Sequence, residues 1–329
     1  MRSDGIICPH CDSPRIGIHS RRERRYKCHA CDKTFAETVG TPLYGLKYPL
    51  WIVMLVLALL SHGCPVQAIV FALEIDERTV RDWQHKAGQH ARQVQEQVVC
   101  MGSVDLGQVQ ADELYVKAQG QKLWLATAMT VFSRLFLWGA VAPHRDEGLL
   151  QQIMSQVRAA AKRGLPILFA VDGFKAYVRT IRRTFRDPQH TGQRGRPRLI
   201  LWPDLHIAQV VKHHTGRKLL AVERRLVQGG WRAAEEIVQA TQVGLGVINT
   251  AYVERLNATF RGWLPALFRR TRCPAGLAER IETAMFWMGV VYNFCCVHST
   301  LSASPAMAAD LTDHLWSVDE LLRFRTGGT

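Results

Sequence analysis

The fold class is decided by four stretches: QVQADELYVKA (residues 108–118), KLWLATAMTV (122–131), LFLWGAVA (135–142) and PILFAVDG (166–173). The first three are rich in β-branched and aromatic residues with partial alternation, which predicts three successive strands. The fourth is apolar without alternation, as a strand buried on both faces should be. Between them, residues 147–163 have helical spacing, with Asp146 as the N-cap and Gly164 as the stop. We therefore predict an α/β core around a mixed sheet.

The chain is strongly basic. Its 329 residues include 42 Lys and Arg against 28 Asp and Glu, which gives a formal net charge of +14 at pH 7. Such a surplus attracts polyanions, and nucleic acid is the usual partner. The most apolar run, residues 50–60, is too short to span a bilayer and predicts a buried helix. Because no secretory signal precedes the first cysteines, we expect a cytoplasmic protein with no membrane partner.

Two CxxC pairs lie near the N-terminus: Cys8 with Cys11, and Cys28 with Cys31. Each CxxC turn directs two thiolates at one point, and two such turns complete the closed site that is typical of structural zinc. A redox site would use one pair on an α/β scaffold instead. We predict a zinc ribbon over residues 1–40 that holds one structural Zn²⁺. Between the pairs lies a basic run that we expect to contact DNA phosphates: Arg21, Arg22, Arg24 and Arg25.

Residues 45–100 have the pattern of a helix-turn-helix domain. VQAIVFAL (66–73) predicts one helix, EID (74–76) a short turn, and ERTVRDWQHK (77–86) a second helix. Val80 and Trp83 would anchor the second helix inward, which leaves Arg78 and Arg81 facing the major groove of DNA. An ordinary helical hairpin has the same pattern and remains the alternative.

Three carboxylates lie in settings that indicate chemistry. Asp112 falls within the first predicted strand, Asp172 ends the buried strand, and Glu254 lies in NTAYVERLNATFR (249–261). A carboxylate inside a strand is costly unless it is solvated, paired or metal-bound. Two acids on neighbouring strands and a third on a helix can hold two Mg²⁺ or Mn²⁺ ions for phosphoryl transfer. Glu113 should point to the opposite face of the sheet, so we do not include it among the metal ligands.

Helical spacing places Thr250, Glu254, Asn257 and Arg261 on one polar face of the helix, opposite an apolar face. The apolar face predicts burial against the core. The polar face would point Glu254 toward the catalytic metals, although a merely solvated face would have the same spacing.

At these positions the chain resembles bacterial insertion-sequence transposases of the DDE superfamily, of the IS-one type, over roughly residues 5–305. The segments ADELY (111–115), VDGFKAY (171–177) and NTAYVERLNATFR are similar to the settings of that family's first Asp, second Asp and Glu. The resemblance implies an RNase-H-like domain over residues 105–305, in which Asp112, Asp172 and Glu254 are the catalytic metal ligands. It also implies that Arg261 contacts DNA near the cleavage point, and we expect the same of Asn257.

Two further segments bear on this resemblance, one by its sequence and one by its length. Residues 292–305, YNFCCVHSTLSASP, are similar to the Tyr-Asn, His, Leu and Pro ending of many transposases and integrases, although Cys296 and Val297 stand where Arg and Pro are common. The chain between Asp172 and Glu254 is longer than an RNase-H-like core needs, and we predict a basic insertion at about residues 187–235.

Within that insertion, RGRPR (194–198) is similar to an AT-hook core, which enters narrow minor grooves; general phosphate contact is the alternative. Its candidate DNA contacts are Arg194, Arg196 and Arg198. Residues 206–227 predict a hairpin that turns near Gly216. We expect residues 306–329 to form a C-terminal tail.

Together these features predict a DNA transposase that binds terminal inverted repeats and target double-stranded DNA, at least as a dimer. It would cut a strand with activated water and join the freed 3′-OH to target DNA. Two alternatives remain: a DNA-binding regulator with an inactive core, and a stand-alone RNase-H-like nuclease.

Overall fold

A computed structural model describes residues 6–118, 121–189, 195–216, 218–242, 246–267 and 277–326. The N-terminal part contains a small antiparallel sheet followed by three helices: β1 (Ile16–Ser20), β2 (Arg25–Cys28), β3 (Thr34–Ala36), α1 (Leu50–Ser61), α2 (Val66–Leu73) and α3 (Glu77–Val94). A π-helical turn, Gln95–Val99, follows α3 directly.

The larger part of the chain alternates strands and helices. Its elements up to the second hairpin are β4 (Gln108–Ala118), β5 (Gln121–Thr130), β6 (Phe136–Ala142), α4 (Glu147–Ala160), β7 (Ile167–Asp172), α5 (Lys175–Thr184), β8 (Arg186–Gln189), β9 (Arg198–Leu201), β10 (Leu205–Thr215) and β11 (Lys218–Gln228). The helices that follow are α6 (Trp231–Thr241), α7 (Ala251–Trp263), α8 (Ala278–Cys295), α9 (Pro305–Ala308) and α10 (Val318–Arg323), with a 3-10 turn at Pro265–Leu267.

The central sheet confirms the predicted mixed α/β class. In the described residues it has six strands in the order β11-β10-β7-β4-β5-β6. Strands β4, β5 and β6 form an antiparallel meander, β7 returns parallel to β4, and β10 lies parallel to β7. The helix after β6 begins as predicted, because the Asp146 side chain accepts a hydrogen bond of 3.0 Å from the Leu149 amide. It ends at Ala160, before the predicted stop at Gly164.

Helices α1 and α3 pack on the core through α8, and α2 packs on α3. Gly88 of α3 lies so close to Thr283 of α8 that a Cβ atom would be 2.1 Å from the Thr283 carbonyl oxygen, so this crossing needs glycine. The indole of Trp287 donates a 2.9 Å hydrogen bond to the carbonyl of Leu57 in α1. Helix α3 extends to Val94, beyond the predicted end at residue 86, because its second half is buried against α8.

Helix α1 is only partly the buried helix that the apolar run predicts. Val53 and Val56 are fully buried, whereas Trp51 is 64% exposed and Leu55 is 41% exposed. The helix is therefore packed on one face and open on the other. Among the described residues, no helix has the length and apolar character needed to cross a membrane.

The C-terminal segment, predicted as a tail, packs onto the fold as far as the structure describes it. Leu321 and Leu322 are fully buried. Arg325 donates a 2.6 Å hydrogen bond to the Ile7 carbonyl, and Arg323 forms a 3.4 Å ion pair with Glu37. This segment therefore links the Cys-rich module to helices α1, α3 and α8.

The predicted hairpin near Gly216 is confirmed. Strands β10 and β11 pair antiparallel, and Gly216 has a φ of 59°, which glycine adopts without strain. Because β10 also pairs with β7, the region predicted as an insertion supplies a strand to the central sheet.

Candidate active site

Asp112 and Asp172 lie beside each other on two parallel strands. Strands β4 and β7 pair up to Gln110 and Ala170, so each aspartate lies two residues beyond that last pair. Both side chains line one cavity of about 520 Å³. The parallel pairing of β4 and β7 therefore brings the two predicted aspartates to one cavity.

Helix α7 is fixed over β4 by a buried glutamine. The Gln110 side-chain oxygen accepts hydrogen bonds of 3.0 Å from the amides of Tyr252 and Val253, in the first turn of α7. Its amide nitrogen donates a 2.7 Å hydrogen bond to the Asn249 carbonyl. Since the first amides of a helix lack partners within the helix, Gln110 ties the start of α7 to the strand that carries Asp112.

Asn257, one turn further along α7, provides the second tie. Its side-chain nitrogen donates a 3.0 Å hydrogen bond to Asp112 Oδ2, and its oxygen accepts a 2.8 Å hydrogen bond from Thr127. Asn257 is 1% exposed. It therefore orients Asp112, which differs from the DNA contact that we expected, because neither end of its amide reaches the surface.

Glu254 lines the same cavity as the aspartates. The Thr250 hydroxyl donates a 2.8 Å hydrogen bond to Glu254 Oε1, and the Lys212 ammonium of β10 forms an ion pair with the same oxygen. Both Lys212 and Glu254 are partly exposed, so the ion pair is open to exchange with other cations.

Glu113 joins the aspartates, and Arg145 pairs with the resulting acidic cluster. The sequence predicted neither residue at this site. Arg145 donates hydrogen bonds of 2.9 Å to Glu113 and 2.8 Å to Asp172. Asp112, Glu113 and Asp172 each offer one carboxylate oxygen within 4.8 Å of the others. Beyond the last β4–β7 pair, Gln110 with Ala170, the carboxylates of Glu113 and Asp172 share Arg145, a contact that strand alternation alone does not predict.

The cluster carries more negative charge than its neighbours balance. Burial raises the pKa of the Asp112 carboxyl above its ordinary value, hydrogen bonds from the Glu113 amide and Asn257 oppose that effect, and the charges of Asp172 and Glu254 add to it. Burial likewise raises the pKa of Glu113, against the effect of Arg145. An added cation would relieve this repulsion.

The residues fit a divalent metal ion. Hard carboxylate oxygens are the ligands that Mg²⁺ prefers, and the three clustered carboxylates converge closely enough to share one ion. Among the described residues, the buried Oε1 atom of Glu113 makes no hydrogen bond of good geometry, although the hydroxyl of the buried Tyr177 interacts with the Glu113 side chain. Glu254 lines the same cavity but is not one of the three converging carboxylates, and its Oε1 atom is paired with Lys212.

The cysteines of the N-terminal module converge as predicted. The sulfur atoms of Cys8 and Cys31 are 3.6 Å apart, as are those of Cys11 and Cys28, and all four lie within 4.8 Å of one another. The amides of His10 and Ala30 each donate to a cysteine sulfur at 3.4 Å. These four sulfurs can hold one structural metal ion, and tetrahedral sulfur ligation is typical of zinc.

Several predicted DNA contacts of the Cys-rich module lie at the surface. Arg21 and Arg22 are exposed. Arg24 is also exposed and forms a 3.3 Å ion pair with Glu37, while Arg25 is half-buried and donates a 2.9 Å hydrogen bond to Thr34. The first two are therefore the freest to meet phosphate.

The remaining predicted DNA contacts differ in accessibility. Arg78 and Arg81 are exposed at the start of α3, where Asp76 caps the helix by accepting hydrogen bonds from the amides of residues 78 and 79. Glu77 pairs with Arg81 at 2.6 Å. Three further residues belong to this group: Arg196 and Arg198 are exposed, and Arg261 is half-buried near the end of α7. Arg194 lies outside the described residues.

Known protein-family models give no match to this chain, and curated proteins give no significant match. A functional assignment therefore rests on the chemistry of these residues.

Proposed function

We propose that this chain is a DDE-type DNA transposase, which cleaves and joins DNA strands with divalent metal ions. One observation carries the proposal: Asp112 within β4 and Asp172 at the end of the adjacent parallel strand β7 line one cavity, and α7 presents Glu254 to the same cavity. Carboxylates arranged around one open cavity suit phosphoryl transfer.

The topology supports an RNase-H-like catalytic core. An antiparallel meander, a helix and a strand that returns parallel beside the first strand is the arrangement that the resemblance implies. In this proposal, β10 continues that sheet beyond Asp172, and the following chain leads to α7.

The residues of the cavity have distinct roles in this proposal. Asp112 and Asp172 hold the metal, with Glu254 as a third ligand and Glu113 close enough to contribute. When bound, two such ions stabilise the attacking and leaving oxygens of the phosphoryl group. Asn257 and Thr127 orient the Asp112 carboxylate, and Gln110 holds the helix that carries Glu254. Lys212 and Arg145 neutralise the acids until metal and DNA arrive.

The DNA-binding role is proposed for the basic modules outside the cavity. The Cys-rich module would bind one zinc ion and present Arg21 and Arg22, while the start of α3 would present Arg78 and Arg81 to the element ends. The positive charge of the chain favours this partner, with affinity that falls as salt rises. Cutting two element ends would need at least two copies of the chain.

The test uses DNA that flanks the gene. Inverted repeats bracketed by short direct repeats would supply the end sequence for a labelled duplex. Incubated with this duplex, target DNA and Mg²⁺, the protein should nick the end and join the freed 3′-OH to the target. Without Mg²⁺ it should bind the duplex and leave it intact.

Two other results would replace the proposal. Cleavage without joining would indicate a nuclease. Specific binding without cleavage at any Mg²⁺ concentration would indicate a regulator, in which the contacts of Arg145 with Asp172 and of Lys212 with Glu254 stabilise an inactive core.

A further inference from the structure

A second cavity, of about 470 Å³, lies on the side of α7 that faces away from Glu254. Tyr252 and Thr259 of α7 line it, together with Arg134 from the turn between β5 and β6 and His298 after α8. Its volume falls within the range of about 300–1,000 Å³ typical of ligand sites.

Arg134 is a buried charge without a counter-ion. It is 9% exposed, and within the described residues no carboxylate pairs with it and its buried Nη1 atom has no hydrogen-bond partner. Its guanidinium carbon lies 4.0 Å from the centre of the Tyr252 ring. Its backbone has a φ of 59°, an unusual conformation for a residue with a side chain. A buried charge and a strained backbone often mark a functional site. A bound anion would supply the negative charge that the Arg134 guanidinium lacks.

His298 adds a hydrogen-bond donor. Its Nδ1 atom accepts a 3.3 Å hydrogen bond from the Thr300 amide, so the neutral ring carries its proton on Nε2. Burial, together with the charges of Arg134 and Arg255, lowers the pKa of His298 and favours that neutral form. Among the described residues that line this cavity there is no carboxylate, so its chemistry favours an anion.

Aromatic rings form the other walls. Tyr252, Trp263 and Tyr292 line the cavity, and the ring centres of Trp263 and Tyr292 are 6.3 Å apart. Aromatic faces bind unpaired bases by stacking, whereas paired bases in a duplex present no free face. A site that joins stacking surfaces to a buried guanidinium suits a base that carries a phosphate.

We propose that this second cavity binds one unpaired nucleotide of a DNA strand, with its base against the aromatic walls and its phosphate at Arg134 and Arg255. The inference rests on the proposed function, because it takes DNA as the partner of the carboxylate cavity. Tyr252 and Glu254 project from opposite sides of α7, and a helix with its side chains is about 10–12 Å across. A strand held at the carboxylates therefore reaches the second cavity by crossing a single helix.

The test follows the fluorescence of 2-aminopurine, an adenine analogue that is quenched when its base stacks. The probe is a short duplex with a 3′ overhang that carries this base, mixed with the full-length zinc-loaded protein without added Mg²⁺. The wild-type protein should quench the overhang. Arg134→Met removes the buried cation and Thr259→Glu puts a carboxylate into the cavity. Each should weaken this binding about tenfold or more, since a strand that loses its phosphate contact also loses the stacked base, whose stacking contributes that much affinity.

Matched variants make the result specific. Arg163→Met removes an arginine whose side chain is 69% exposed and lies outside the cavity, and it should quench as the wild type does. Thr259→Glu puts a repulsive carboxylate into the cavity, adds no aromatic ring that could quench the probe and leaves Arg134 in place, so it tests the site even if Arg134→Met unfolds. Thermal unfolding of each variant separates misfolding from lost binding.

Three results would overturn the inference: quenching that survives Thr259→Glu, equal quenching of the same base inside a full duplex, or complete displacement of the overhang by equimolar deoxyadenosine monophosphate, which would mark a site for free nucleotides. Failure of the proposed function is separable from these. Asp112→Asn should quench like the wild type and fail to cleave, and quenching by a wild-type protein that never cleaves DNA would leave the nucleotide site standing alone.

Discussion

Replacing Asn257 with alanine tests whether this residue positions the metal ligand Asp112. The side chain is buried and bridges Asp112 to Thr127 with hydrogen bonds of 3.0 and 2.8 Å. Its removal leaves two buried polar groups without that partner, which costs about 1–3 kcal/mol in the free energy of unfolding. Loss of a residue that orients a metal ligand typically lowers metal affinity about 10–100-fold.

The assay is calorimetric titration of Mn²⁺ into zinc-loaded protein, with Asp112→Asn as the baseline. We expect Asn257→Ala to weaken Mn²⁺ binding about 10–100-fold. The hydrogen bond from Asn257 lowers the pKa of Asp112, so its loss raises that pKa. Because protons compete with Mn²⁺ for Asp112, lowering the pH should abolish Mn²⁺ binding at a higher pH in the variant than in the wild type.

A matched control separates positioning from general loss of stability. Asn293 is fully buried, and its side chain holds the backbone of Phe136 in β6 with hydrogen bonds of 2.9 and 2.8 Å. Asn293→Ala should destabilise the protein about as much as Asn257→Ala and leave Mn²⁺ affinity unchanged. The reasoning fails if Asn257→Ala unfolds more easily yet binds Mn²⁺ as tightly as the wild type.

Three further predictions follow from the same structure. Cys28→Ser should reduce bound zinc from about one ion per chain to nearly none and weaken DNA binding, as measured by elemental analysis and gel shift; full zinc content would refute the four-sulfur site. Lys212→Met should lower the Mg²⁺ concentration that gives half-maximal cleavage, because it removes the cation that competes for Glu254, and an unchanged or higher requirement would contradict this. In metal-free buffer, the free energy of unfolding should fall as pH rises above the ordinary values of 3.8 for Asp112 and 4.5 for Glu113, because burial raises both pKa values and the folded state then holds more protons than the unfolded chain. Denaturant unfolding at several pH values should show that this fall in the free energy of unfolding with rising pH is present without Mg²⁺ and absent with Mg²⁺.

The elements that the sequence predicted correctly are those with a strong local signal. The three-strand meander, the buried strand ending at Asp172 and the hairpin turning at Gly216 follow from periodicity and turn chemistry. The paired CxxC turns likewise predicted where four sulfurs would converge. Each of these depends on residues close together in the chain.

What the sequence did not reveal depends on long-range packing. Arg145 follows β6 and Lys212 lies in β10, and the fold brings both to acids on other elements, Asp172 at the end of β7 and Glu254 on α7. Glu113 enters the cluster by sharing Arg145 with Asp172, whereas strand alternation alone predicts the opposite face. One usable signal was Gln110, which lies between Val109 and Ala111 in a predicted strand, since a buried polar side chain needs a partner, here the start of α7.

Comparing cleavage and binding of end DNA by Asp112→Asn, Asp172→Asn and Glu254→Gln tests most directly whether these three carboxylates hold the catalytic metal. Each variant should lose Mg²⁺-dependent nicking and joining by on the order of a thousandfold, because the metal ions contribute several kcal/mol to transition-state stabilisation. Gel-shift affinity for the same DNA should be unchanged or higher, because binding rests on the basic modules and each substitution removes a repulsive charge. Near-wild-type nicking by any one of the three would contradict its assignment as a metal ligand.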